Sequence, residues 1–167
     1  MDAFALEFLC HALDEYFDGN CTRIALNLHE SGLHIRYDAG ISLEETTGGI
    51  SKAACILTVA MACSNEKKHR AVGDEFCEIG IAALNAASVS CSLKTVSNCR
   101  KGNLEFAYGK TVSVQIEACS ESEEYTEFTI VPDYQLFEGL KLSVEGIRLK
   151  AAALQNKLPG LSITVNE

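Results

Sequence analysis

The stretch "EFLCHALDEYFDG", Glu7 to Gly19, holds the residues whose types and spacing suit chemistry best. Glu7 and His11 are four residues apart, so on a helix they project side by side from adjacent turns. A carboxylate there can serve as a general base, and an imidazole one turn on can hold a metal. The same pair also reads as a solvated ion pair, or as the relic of a former site. Spacing alone leaves all of these open.

The elements that must position the pair follow from pattern. Phe4, Leu6, Leu9, Leu13, Tyr16 and Phe17, with alanines between them, predict one N-terminal core helix ended by Gly19. "TRIALNL" and "LHIRYDA" alternate and are separated by "HESG", which predicts an antiparallel hairpin. "SKAACILTVAMAC" is apolar on nearly all sides behind Ser51, a suitable N-cap, and predicts a thirteen-residue buried helix. The polar "SNEKKHRAVGDE" reads as a loop and "FCEIGIAALNAAS" as a helix rich in small residues. "VSCSLKTVS", "NLEFAYG" and "TVSVQIEAC" predict a meander with turns at "NCRKG" and "GK", and "TEFTIVPD" a fourth strand. "LSVEGIRLKAAALQNKL" reads as an amphipathic helix stopped by Pro159 and Gly160, with "LSITVNE" as a closing strand. The order predicts an α+β fold, a two-layer α/β sandwich whose mixed, mostly antiparallel sheet carries helices on one face.

With 167 residues, 47% of them hydrophobic, the chain suits a single domain over 1–167. Its formal net charge of −9 opposes a phosphate backbone, so direct nucleic acid binding is not expected. The eight cysteines never approach the C-x-x-C spacing of a zinc site and mostly lie in apolar runs, as buried thiols do in a reducing compartment. "MDAFALEFLC" has no basic leader and no membrane-crossing run, which predicts a cytoplasmic protein without membrane contact. A monomer is expected.

Taken in order, "EFLCHALDEYFDG", "CTRIALNLHESGLHIRYDAG", "VGDEFCEIGIAALNAAS", "LEFAYG", "TEFTIVPDYQLFE" and "IRLKAAALQNKLPGLSITVNE" resemble the N-terminal ATPase domain of DNA gyrase B and of topoisomerase IV, members of the GHKL superfamily. The resemblance implies that Glu7 matches the general base for water. It implies that Asp38 matches the aspartate that reads adenine, and Thr126 the threonine supporting it. His11 stands where the family has the magnesium-holding asparagine, and imidazole is a poor ligand for that hard cation. Gly40 lies in "AGIS", a shorter continuation lacking the family's arginine, and Gly80 alone matches the glycine-rich phosphate loop within "DEFCEIG". Asp74, Glu75 and Glu78 place negative charge where a triphosphate would lie.

The resemblance therefore implies a degenerate GHKL domain that binds an adenine-like ligand or a protein partner without hydrolysing ATP. One alternative is an active ATPase using ATP and magnesium, as in a type II topoisomerase-like protein. Another is a structural or interaction module whose pocket is closed by its own side chains. The topoisomerase reaction itself is not expected of this chain alone.

Overall fold

Apolar alternation along Ile24, Leu26 and Leu28, and again along Leu33, Ile35 and Tyr37, builds the first hairpin. Strand β1 (Arg23–His29) pairs antiparallel with β2 (Gly32–Tyr37), from Ile24 opposite Tyr37 to His29 opposite Gly32, across a two-residue turn at Glu30 and Ser31. This computed structural model describes residues 1–63, 72 and 79–167. Ahead of the hairpin lie α1 (Asp2–Glu7) and α2 (Cys10–Phe17); after it come α3 (Lys52–Thr58) and α4 (Ile81–Ala86). The meander is β3 (Ser88–Ser97), β4 (Arg100–Ala107) and β5 (Lys110–Ala118), followed by β6 (Tyr125–Pro132), α5 (Val144–Lys157) and β7 (Ser162–Asn166).

The strands form one seven-stranded sheet in the order β5-β4-β3-β6-β2-β1-β7. Every neighbouring pair is antiparallel except β1 and β7, which run parallel. The fold is thus α+β with a mixed, mostly antiparallel sheet. Leu26, Ile35, Phe128, Ile130 and Leu93 from the strands share one core with Phe4, Leu6, Phe8, Leu9 and Leu13 from the N-terminal segment. Each such side chain contributes about 1.5–3 kcal/mol by leaving water. Among the described residues, no helix is long and apolar enough to cross a membrane.

Three helices differ from the pattern-based expectation. The N-terminal segment is two helices, because the Leu9 N–H bonds the Leu6 carbonyl at 3.0 Å and tightens the chain at Phe8–Leu9 to a single i to i−3 turn. Helix α3 stops at Thr58, where the Thr58 hydroxyl bonds back to the Ala54 carbonyl at 2.8 Å and Val59 becomes extended. Beyond it Val59 and Met61 are exposed, and Cys63 returns to the core. Helix α4 spans only Ile81–Ala86, and the expected helical residues Phe76, Cys77 and Glu78 lie outside the described residues.

Candidate functional site

Glu7 and His11 are not a solvated pair. Each is 3% exposed, because every residue from Phe4 to Leu13 is buried and the segment has no open face. The Glu7 carboxylate accepts the backbone N–H groups of Ile79 at 3.1 Å and Gly80 at 3.4 Å, through one oxygen, Oε2. Gly80 is the N-cap of α4 and holds φ +84°, a left-handed conformation that a side chain would strain. The first amides of a helix have no partner within it, so a carboxylate at this position satisfies them and complements their partial positive charge.

His11 is held from two sides. Its Nδ1 lies 3.0 Å from the Tyr37 hydroxyl, and its Nε2 lies 3.5 Å from Glu15 Oε1. Nε2 is buried and makes no hydrogen bond to the described residues; with the proton on Nε2, Nδ1 accepts from the tyrosine. The nearby Glu15 would favour a charged imidazolium, but burial dominates, and with the charge of Lys52 it lowers the His11 pKa to about 3. The ring is therefore neutral at ordinary pH, and the contact with Glu15 is a dipolar one. Nδ1 is committed to the Tyr37 hydroxyl, and the ring is buried. Among the described residues, no three His, Cys, Asp or Glu side chains are grouped to hold a metal ion.

Thr126 lies directly opposite Tyr37 across β2 and β6. It is fully buried, and its hydroxyl donates to the Ala39 carbonyl at 2.7 Å. Thr95 stands 3.0 Å from that hydroxyl and accepts the Ile41 N–H at 2.9 Å. These bonds fasten the segment after β2 to the sheet. Gly40 sits at the centre of the fastened segment, where an added Cβ would collide with the Val96 carbonyl and Ser97. Its lack of a side chain serves close packing.

Asp38 turns to the start of β1. Its carboxylate accepts the Thr22 N–H at 2.9 Å, the Thr22 hydroxyl at 2.7 Å, the Arg23 N–H at 2.8 Å and Arg23 Nε at 3.2 Å. Partial burial pushes the Asp38 pKa up, but the four donors outweigh it and hold the carboxyl well below its usual range. Asp38 and Thr126 are thus engaged on separate partners, Asp38 on Thr22 and Arg23 and Thr126 on Ala39 and Thr95. The residue that register brings to Thr126 is Tyr37, 1% exposed, whose ring packs beside His11 with centroids 5.9 Å apart.

A groove of about 620 Å³ opens beside Asp38, lined by Arg23, Arg36, Tyr125, Ser162 and Thr164 among others. Its cations are already committed: Arg23 pairs with Asp38, and Arg36 pairs with Glu127 and stacks over the Tyr125 ring at 4.3 Å. Asp74, Glu75 and Glu78 and the polar "NEKKHR" lie outside the described residues. Sequence reasoning missed Tyr37, since an aromatic at an inward strand position reads as ordinary core. No family model matches the chain, and no curated protein matches it significantly.

Proposed function

We propose that this chain is a shortened gyrase-B-like GHKL domain that does not hydrolyse ATP and acts as an interaction module, its nucleotide position filled by its own side chains. The observation that carries this reading is the contact of Glu7 with the Ile79 and Gly80 amides. A general base needs its carboxylate turned to a water in front of the γ-phosphate, and a phosphate needs unclaimed N–H groups at a helix start. One internal contact uses both. Tyr37, bonded to His11, is buried directly opposite Thr126, the residue that the resemblance assigns to supporting adenine recognition.

A thermal-shift series with adenosine, ADP and ATP plus magnesium tests it, alongside a steady-state ATPase assay. The expected result is no ligand-dependent shift and no magnesium-dependent hydrolysis above background, with Glu7→Gln unchanged in the assay. A shift specific to ATP, with hydrolysis abolished by Glu7→Gln, would overturn the proposal in favour of an active ATPase. A shift with adenosine alone would favour the adenine-binding form of the domain.

A further inference from the structure

We infer that Cys99 and Cys119 are a redox-sensitive pair that closes into a disulfide on exchange with a small-molecule disulfide. Asn98 and Cys99 are the two turn residues between β3 and β4, both left-handed, with φ of 51° and 56°. This is the two-residue hairpin turn whose twist matches the strands, with cysteine where glycine is usual. The register of β4 and β5 runs to Arg100 opposite Ala118, and the next step brings Cys99 opposite Cys119. The step is made: the Cys119 N–H donates to the Cys99 carbonyl at 2.9 Å. Standard backbone dimensions across that bond keep the two Cα atoms within about 6.8 Å, inside the window a disulfide spans.

Accessibility separates this pair from four of the other described thiols: Cys99 is exposed and Cys119 half-buried, as is Cys55 in α3, whereas Cys10, Cys21, Cys63 and Cys91 are buried. Burial and the neighbouring Asp38 push Cys21 up to about 12, the adjoining Cys10 thiol and burial raise Cys63, and burial raises Cys91. Buried thiols of that kind form little thiolate and react slowly. The pair also sits at a mechanically useful place, because β5 is the sheet's edge and has β4 as its one neighbour among the described strands. A bond from Cys119 to the β3–β4 turn would pin the end of that edge strand.

The chemistry balances with oxidised glutathione as the oxidant. One protein thiolate attacks the glutathione disulfide, forming a mixed disulfide and releasing one glutathione thiolate. The second protein thiolate then attacks the mixed disulfide at the protein sulfur, expelling the other glutathione. Two protein thiols are oxidised, two glutathione thiols are formed, and the protons pass from the first pair to the second.

The test incubates the full chain with oxidised glutathione, blocks remaining thiols, digests with trypsin without reduction and identifies linked peptides by mass. The expected product joins Thr95–Arg100 to Thr111–Lys141, at least tenfold faster in the folded chain than in urea, and it is absent from Cys99→Ser and from Cys119→Ser. Glutathione adducts alone at these two positions, a different cysteine pairing, or equal rates in folded and urea-unfolded chain would each overturn the inference.

Discussion

Replacing His11 tests the interior of the candidate site through its pH dependence. In the folded protein the ring's pKa is lowered from 6.5 to about 3 by burial and by Lys52. As pH falls below 6.5 the unfolded chain takes up a proton that the folded chain refuses, so stability present above that pH is lost progressively down to about pH 3. At 1.36 kcal/mol per unit the whole span is worth about 5 kcal/mol, and the loss by pH 4.5 is about 3 kcal/mol. For a chain of this size that is roughly 6–12 °C in Tm. His11→Asn removes the titration while keeping an acceptor for the Tyr37 hydroxyl. The assay is urea unfolding of both proteins from pH 7.5 to 4.5. The wild-type advantage, packing included, should shrink by about 3 kcal/mol across that range. A constant difference would refute the buried neutral histidine. A difference that grows on acidification would show that the 3.5 Å contact with Glu15 is an ion pair after all.

Asp38→Ala should destabilise by about 2 kcal/mol near neutral pH, a value discounted because Thr22 and Arg23 are exposed and water can replace part of the loss. The Asp38 carboxyl is depressed in the folded state, so this contribution is present above its ordinary pKa near 3.8 and fades as pH falls further; chemical denaturation at pH 7 and pH 3 checks the sign. Thr126→Val should cost about 1–3 kcal/mol in urea unfolding, because it leaves the buried Ala39 carbonyl without its donor. Gly40→Ala should cost at least as much, since the new methyl meets the Val96 carbonyl, a backbone atom held in the sheet; an unchanged unfolding midpoint would remove the packing account of that glycine.

The strands were legible because period-two alternation in "TRIALNL", "LHIRYDA" and "TEFTIVPD" is local, and pairing leaves it visible. The helix expected over "LSVEGIRLKAAALQNKL" forms as α5, and Ser143 caps its start by accepting the Gly146 N–H at 3.1 Å. The break at Phe8–Leu9 and the early end of α3 depend on single backbone and hydroxyl hydrogen bonds, which periodicity does not encode. Spacing put Glu7 and His11 on one helix, whereas the break at Phe8–Leu9 leaves Glu7 at the end of α1 and His11 in α2, and spacing left their surroundings undetermined, since burial of the whole segment arises from packing against distant strands. Asp38 stood out by type and position, yet its partners Thr22 and Arg23 become neighbours only through the register of β1 and β2.

The central claim is that Glu7 holds the Ile79 and Gly80 amides for the fold itself. Amide proton–nitrogen NMR spectra measure this most directly, recorded on the wild-type chain with and without ATP and magnesium and on Glu7→Gln. The account predicts that the Ile79 and Gly80 signals move in Glu7→Gln, where a charged acceptor becomes a neutral one, and stay in place when the nucleotide is added. Saturable shifts of Ile79, Gly80, Tyr37 and Thr126 on adding ATP and magnesium to the wild-type chain would contradict it.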